Sequence, residues 1–151
     1  MYLGLDLGTS SVKALIVDAS GTAVASQSVP LQVIRRKAGW SEQDPQSWWD
    51  ATNRAVRSLG AEYPEEMRKI TGIGLSGQMH GLTALDANDT VLRPAILWND
   101  TRSASQATQL DTGHPAFRQL GGNAVMPGFT APKAVWMSEN EPELFQRLGT
   151  V

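Results

Sequence analysis

Residues 3–18 read LGLDLGTSSVKALIVD, and this stretch decides the fold. Apolar residues alternate with small or polar ones as far as Leu7, which is the period-two pattern of a β-strand. Gly8-Thr9-Ser10 then supplies one residue that tolerates positive φ and two hydroxyls. Because VKALIVD (12–18) has the pattern of a returning strand, the chain is predicted to open with an antiparallel hairpin.

The tip of this hairpin carries groups that suit phosphate chemistry. Backbone N–H groups and hydroxyls at a turn bind phosphate oxygens well. Asp6 lies beside the turn, and a carboxylate there suits Mg²⁺, which takes carboxylate, water and phosphate oxygens together. The residues alone leave an alternative open, an ordinary hairpin in which Asp6 accepts hydrogen bonds from the turn.

Composition excludes several classes of protein. With 151 residues and 41% hydrophobic residues, the chain has the size and composition of about one globular domain. The formal net charge of −2 argues against nucleic acid or an anionic membrane as the main partner. The absence of cysteine excludes disulfides and thiolate zinc sites. No apolar run approaches the ~20 residues of a membrane span, so we expect a cytoplasmic protein without a membrane partner.

Hydrophobic periodicity and turn residues predict an α/β fold, a mixed sheet with flanking helices. Strands are predicted over 2–7, 11–18, 23–31, 70–75 (as a buried strand), 82–86 and 95–98. Helices are predicted over 45–59 (ended by Gly60), 101–110, 130–137 and 143–148, with a connector at 63–66 and a Gly/Pro-rich stretch around 121–128. This order suits the ribonuclease-H-like core of the actin-like ATPase superfamily.

A second candidate site follows the predicted strand 70–75, where the chain reads Gly77-Gln78-Met79-His80-Gly81. Ligands of α/β sheets bind at the carboxyl ends of strands. Gln78 and His80 can hydrogen-bond a polyhydroxylated ligand without charge, and flanking glycines let backbone approach it. The alternative is a glycine-rich bend with a purely structural histidine.

The third candidate site is Trp98-Asn99-Asp100-Thr101-Arg102, again directly after an apolar run. Asp100 and Arg102 can pair with each other or contact hydroxyls. Asp100 or Thr101 can equally cap the following helix. The residues alone do not decide between these roles.

Five segments, in this order along the chain, resemble the FGGY family of carbohydrate kinases. They are GLDLGTSSVKALIVD (4–18), WSEQDPQSWWD (40–50), GIGLSGQMHG (72–81), RPAILWNDTR (93–102) and PGFTAPKAVW (127–136). Within the family, the motif at 78–81 is most similar to members that act on D-xylulose, because glycerol kinases carry an Arg-Glu pair where Met79-His80 stand.

The resemblance implies ATP-dependent phosphorylation of D-xylulose to D-xylulose 5-phosphate. It implies that Asp6 is a catalytic carboxylate that helps to organise Mg²⁺, and that Gly8-Thr9-Ser10 lies beside the phosphates of ATP. Met79 and His80 match the pair that contacts the sugar, with Gln78 beside them. Asn99, Asp100 and Arg102 lie in a segment that the family places close to the sugar.

The resemblance also implies that residues 1–151 are an incomplete N-terminal, sugar-binding domain. The base aspartate and the C-terminal nucleotide domain would then lie beyond residue 151, so we expect the isolated chain to be inactive. A homodimer is expected from the resemblance alone. Alternatives are an FGGY kinase for ribulose, gluconate or glycerol, another actin-like ATPase, and a non-catalytic sugar-binding fragment.

Overall fold

The computed structural model describes all 151 residues and divides them into two compact units. The first unit comprises Met1–Val33 and Gln46–Gln78, and the second comprises Ile34–Pro45 and Met79–Val151. None of the helices has the length and apolar composition that crossing a membrane requires.

Six strands and six helices follow one another along the chain. They are β1 (Tyr2–Leu7), β2 (Ser11–Val17), β3 (Ala23–Pro30), β4 (Glu42–Gln43), α1 (Pro45–Glu62), α2 (Pro64–Met67), β5 (Gly72–Gly77), β6 (Ala95–Ile96), α3 (Ala104–Gly113), α4 (Ala116–Gly121), α5 (Thr130–Asn140) and α6 (Pro142–Phe145).

The first unit is built on a four-stranded mixed sheet with the order β3-β2-β1-β5. β1 pairs antiparallel with β2, which pairs antiparallel with β3, so the predicted meander is confirmed. β5 pairs parallel with β1, and α1 and α2 lie between them in sequence. Asp6 of β1 is therefore in register with Lys13 on one side and Ser76 on the other.

The core of the first unit lies between the sheet and α1. Leu3, Ala14 and Ile16 are buried together with Ala55 and Leu59 of the helix. The strand residues alternate and the helix residues are four apart, because side chains repeat every two residues in a strand and every 3.6 in a helix.

The prediction of a buried strand at 70–75 was wrong in its bounds and its burial. β5 begins at Gly72, and Ile73 and Leu75 are 63% and 75% exposed. The reason is that β5 is the edge strand and that the core residues pack on the other strands and on none of its side chains. Ile70, just before the strand, is the residue of this run that packs on the core.

The predicted end of α1 at Gly60 was also wrong. The helix runs through this glycine to Glu62, and the expected connector forms the short helix α2. Glycine lowers helix propensity by roughly 1 kcal/mol, and the burial of Leu59 and the other core residues of α1 outweighs that cost.

The second unit has a small antiparallel pair, β4 with β6, and four helices. Its core contains Leu82, Ala84, Ile96, Trp136 and Met137. The predicted strand at 82–86 does not form a ladder, because this segment makes only isolated bridges, among them Leu82 with Ile96. The strand predicted over 95–98 is confirmed as β6 but is two residues long.

The helices of the second unit agree with prediction best at α5, which extends three residues beyond the expected end. α3 begins and ends three residues later than predicted, and α4 precedes the Gly/Pro-rich stretch. α6 is shorter than predicted, because the chain leaves it to donate the Gly149 N–H to the Leu85 carbonyl at 2.8 Å. A Cβ on Gly149 would lie 2.8 Å from backbone atoms of Asp86 and Ala87, so this position requires glycine.

Candidate active site

Asp6 stands at the end of β1 with an exposed side chain. Its Oδ1 accepts a hydrogen bond from the Ser76 hydroxyl at 2.8 Å, across the parallel pair β1–β5. Lys13 is its register partner in β2. A carboxylate, a hydroxyl and an ammonium are thus carried side by side on three adjacent strands.

The turn Gly8-Thr9-Ser10 follows directly and is closed by a hydrogen bond from Gly8 N–H to the Ser11 carbonyl at 3.0 Å. The Thr9 hydroxyl donates to Gln78 Oε1 at 3.0 Å. Gln78 N–H donates to the Leu7 carbonyl at 3.0 Å. The carboxyl ends of β1 and β5 therefore bring the predicted phosphate turn and Gln78 together within the first unit.

The oxygen atoms around Asp6 fit a metal ion whose other ligands are mainly the oxygens of a bound phosphate. Asp6, Lys13 and Ser76 line a cavity of about 450 Å³ at the surface of the sheet. No group of three or more His, Cys, Asp or Glu side chains that could hold a metal ion exists in the structure. Since Mg²⁺ is commonly bound through one or two carboxylates plus substrate phosphates, a single carboxylate beside hydroxyls suits Mg²⁺ that arrives with a phosphate ligand.

Met79 and His80 begin the longer segment of the second unit, and both side chains are exposed. Met79 is 67% exposed. His80 has φ of 60°, a left-handed backbone conformation that non-glycine residues rarely adopt. Its ring lies against Phe129, with ring centroids 4.7 Å apart at an interplanar angle of 42°. The 79–81 loop therefore presents Met79 and an imidazole that packs against Phe129 at the surface.

Asn99 is exposed, and its neighbour Trp98 is 49% exposed. The backbone at Trp98 lies next to the segment that carries Phe129. A Cβ on Gly128 would collide with the Trp98 carbonyl, so the Pro127-Gly128-Phe129 segment packs directly on the backbone at Trp98. The second unit thus brings together three predicted segments, at 79–81, at 98–99 and at 127–129.

Asp100 and Arg102 are buried, with side chains 0% and 1% exposed. Arg102 donates from Nε to Asp100 Oδ1 at 2.9 Å and from Nη2 to Oδ2 at 2.8 Å. Its Nη1 lies 2.8 Å from Glu42 Oε1, and its guanidinium carbon lies 3.7 Å from the Trp40 ring centroid. Asp100 also accepts a bond of 2.5 Å from the Ser41 N–H. In the structure these two side chains bind each other. Their contact with a sugar stays a prediction.

The ionic network extends to a second arginine. Arg93 pairs with Glu42, and with Glu141 at 2.5 Å. Its side chain is 7% exposed. A buried ion pair stabilises a fold only when each charge has a partner. Here the two arginines make four ion pairs with Glu42, Asp100 and Glu141, which join the segments around residues 42, 93, 100 and 141.

A second cavity of about 450 Å³ lies beside Asn99. It is lined by the basic loop Arg35–Gly39 and by Trp40 and Ser41. Lys37 Nζ lies 4.7 Å from the Trp40 ring centroid. The Trp40 ring in turn meets Trp136 edge-on at 5.5 Å. Trp40 therefore packs between side chains and is half-buried.

Sequence reasoning missed Ser76, Phe129 as a partner of His80, and Lys133. Ser76 had a signal, since it stands at the carboxyl end of a strand next to the Gln78 motif. Lys133 had none, because a lysine in a helix is usually solvated, whereas this one is completely buried.

The whole chain, residues 1–151, matches the model of the N-terminal domain of the FGGY family of carbohydrate kinases. The chain is therefore a member of this family. It is 48% identical over 151 residues to the xylulose kinase of Escherichia coli strain K12, which covers 100% of this chain and 31% of that protein.

Solved structures agree with the family assignment. A xyloylose (xylulose) kinase from Brucella ovis matches with a TM-score of 0.94 and 57% identity, over 97% of this chain and 31% of that one. A gluconate kinase from Lactobacillus acidophilus matches with a TM-score of 0.88 and 28% identity, over 97% and 30%. The predicted actin-like fold class is confirmed. The chain spans about a third of the length of these relatives.

Proposed function

We propose that this chain is the N-terminal, sugar-binding part of a kinase that transfers the γ-phosphoryl group of ATP to the 5-hydroxyl of D-xylulose. The observation that carries the proposal is the 48% identity to a xylulose kinase along the entire chain. The exposed Met79-His80 pair, in place of the Arg-Glu pair expected of glycerol kinases, supports the choice of sugar.

On the phosphate side, we propose that Asp6 and the hydroxyls and N–H groups of Gly8-Thr9-Ser10 face the phosphates of ATP. Mg²⁺, when bound, neutralises charge on the transferring phosphoryl group. Asp6 would hold the cation as its one protein carboxylate, and the Ser76 hydroxyl orients that carboxylate through the 2.8 Å bond. Phosphoryl transfer depends mainly on such positioning.

On the sugar side, we propose that Met79, His80, Gln78 and Asn99 contact the ligand directly. The exposure of His80 and Asn99 supports this role. For Asp100 and Arg102 we propose an indirect role, in which their buried pair fixes the backbone that carries Asn99.

The remaining parts of the proposal concern the longer protein. A base aspartate and a nucleotide domain would be supplied by sequence beyond residue 151, so the 151-residue chain alone should not turn over xylulose. The proposed protein is cytoplasmic, possesses no nucleic-acid or membrane partner and forms a homodimer.

The test is a substrate panel on the full-length protein, with ATP consumption measured for D-xylulose, D-ribulose, gluconate and glycerol. We expect kcat/KM for D-xylulose to exceed every other value at least tenfold, a difference of about 1.4 kcal/mol in transition-state stabilisation. A preference for another sugar or polyol overturns the choice of substrate and leaves the kinase class standing.

His80 gives a more local test. His80→Ala should raise KM for the sugar and leave KM for ATP nearly unchanged, because the imidazole belongs to the sugar side of the proposed site. Met137→Leu, a buried change of similar volume outside the site, is the matched control and should alter neither value. An equal loss for both substrates in His80→Ala would identify a structural histidine.

A further inference from the structure

Lys133 is the largest completely buried side chain in the structure. It lies in α5 and is 0% exposed. An amine at such a depth is costly unless it has partners, because burial removes the hydration of its charge. A buried lysine therefore calls for an explanation in terms of what it holds.

Both partners of the amine are loop carbonyls. Lys133 Nζ donates to the His80 carbonyl at 2.7 Å and to the Gly128 carbonyl at 2.8 Å. No carboxylate lies within ion-pair distance of it. The amine thus joins two backbone segments that are 48 residues apart in sequence, and it does so with charge-assisted hydrogen bonds, which are stronger than neutral ones.

The segment on one side of this contact needs support. His80 has a left-handed backbone at φ 60°, which an L-residue keeps only when its surroundings hold it there. The segment on the other side carries Phe129, whose ring packs against the His80 ring in a tilted arrangement. Because one nitrogen binds the carbonyls of both His80 and Gly128, it fixes the two backbone segments that carry these rings.

We infer that Lys133 is a positioning residue for the 79–81 loop: its amine, bound to the carbonyls of His80 and Gly128, holds the loop in the conformation that binds the sugar. The inference rests on the proposed function for its ligand, but the contact itself does not depend on which sugar is bound. Lys133 has no exposed atom to offer a ligand, so it acts through His80 and not by direct contact.

The charge on Lys133 is sensitive to pH in the alkaline range. Burial lowers the pKa of Lys133 to about 8, the carboxylate of Asp100 opposes this shift, and the guanidinium of Arg102 adds to it. The neutral amine retains two N–H donors for its two carbonyls but loses the strength that charge gives them. Sugar affinity should therefore fall as the pH rises through about 8.

The experiment uses the full-length protein with Lys133→Met as the main variant and Lys133→Gln, which keeps a neutral donor, as the second. Lys69→Met, at an exposed lysine in the other unit, is the matched control. Hydrogen exchange of the Leu82 amide, which follows the loop directly and donates to the Ile96 carbonyl at 2.9 Å, is measured first, since it requires no activity. KM for the sugar and for ATP is then measured from about pH 7 to about pH 9.5, with whichever sugar the wild type accepts.

We expect at least tenfold faster exchange of the Leu82 amide in Lys133→Met and an intermediate effect in Lys133→Gln. KM for the sugar should rise at least fivefold in Lys133→Met with KM for ATP unchanged. In the wild type and in Lys69→Met, KM for the sugar should rise above about pH 8. This rise should be absent from both Lys133 variants.

Two results would overturn the inference. Unchanged exchange at Leu82 in a folded variant would mean that the loop does not depend on Lys133. A mobile loop with unchanged sugar KM would mean that the loop does not bind the sugar. A wild type that prefers another substrate bears on the proposed function alone, because the exchange result is independent of it.

Discussion

Replacement of Arg102 by methionine should unfold the second unit at much lower denaturant concentrations than the wild type requires. The guanidinium neutralises two buried carboxylates, Asp100 and Glu42, whose side chains are 0% and 2% exposed. Methionine keeps most of the length and apolar volume of arginine but supplies no charge and no donor. The variant would therefore leave both carboxylates without this partner.

The structure sets the expected size of the effect. Removing one partner of a buried ion pair costs about 3–5 kcal/mol, because an uncompensated charge remains in the interior. Loss of the guanidinium stack on Trp40, at 3.7 Å, adds about 1 kcal/mol. The remaining contact of Glu42 with Arg93 offsets part of this loss. We expect a net loss of about 4 kcal/mol, a large share of the 5–15 kcal/mol that a typical domain has.

The chain offers a matched control at the surface. Arg68 pairs with Glu65 at 2.6 Å, a shorter distance than the 2.8 Å of the Arg102 pairs, but the side chains are 69% and 65% exposed. Because solvent screens such a pair, Arg68→Met should cost less than about 1 kcal/mol. Burial and not distance is therefore the variable that the two substitutions compare.

The assay is urea unfolding followed by tryptophan fluorescence, since Trp40 and Trp136 both adjoin Arg102. With a slope of about 2 kcal/mol per molar urea, Arg102→Met should lower the midpoint by about 2 M. The double variant Arg102→Met with Asp100→Asn should lose less free energy of unfolding than the two single variants lose together, by at least about 1 kcal/mol. A cost for Arg102→Met equal to that of Arg68→Met would refute the reasoning.

Three further outcomes are expected. Gly128→Ala should cost about 1–3 kcal/mol, because its Cβ would collide with the Trp98 carbonyl, and calorimetry checks this as a lower Tm. Gly60→Ala, in open space inside α1, should instead raise the free energy of unfolding by about 0.5–1 kcal/mol; a loss there would show that the helix needs this glycine. The Arg118 guanidinium lowers the pKa of Asp111 to about 2, so the pair stabilises the fold above about pH 4 and loses this contribution as the pH falls toward 2. In Arg118→Gln the pKa of Asp111 should rise toward 3.8, and a carboxyl NMR titration that is unchanged would contradict this.

Much of the first sheet could be predicted because its signals are local. β1, β2 and β3 follow from alternation and turn residues, and their bounds agree with the prediction to within one residue. The error at 82–86 and the unpredicted strand β4 arise where only one or two residues pair with a distant segment, as Leu82 does with Ile96 and Glu42 with Ile96. A two-residue ladder has no periodicity to detect.

The candidate site divides in the same way. Asp6, the Gly8-Thr9-Ser10 turn and the Met79-His80 pair were identified by residue type and order along the chain. The structure gives Asp6 its partner Ser76 through the parallel register of β1 and β5. It also gives His80 its support, because Lys133 reaches the His80 carbonyl from 53 residues away.

The sequence by itself determined the opening meander, the family and the residue types of the site, because each depends on the identity and order of neighbouring residues. Only the tertiary structure decided which of those residues are available to a ligand. Of the predicted site residues, it exposes His80 and Asn99 and buries Asp100 and Arg102. It also exposes Ile73 and Leu75, which were predicted to be buried, and it buries Lys133. The physical reason is that burial is set by what packs on a residue from distant parts of the chain, and a charge can stay inside only where such packing supplies its partners.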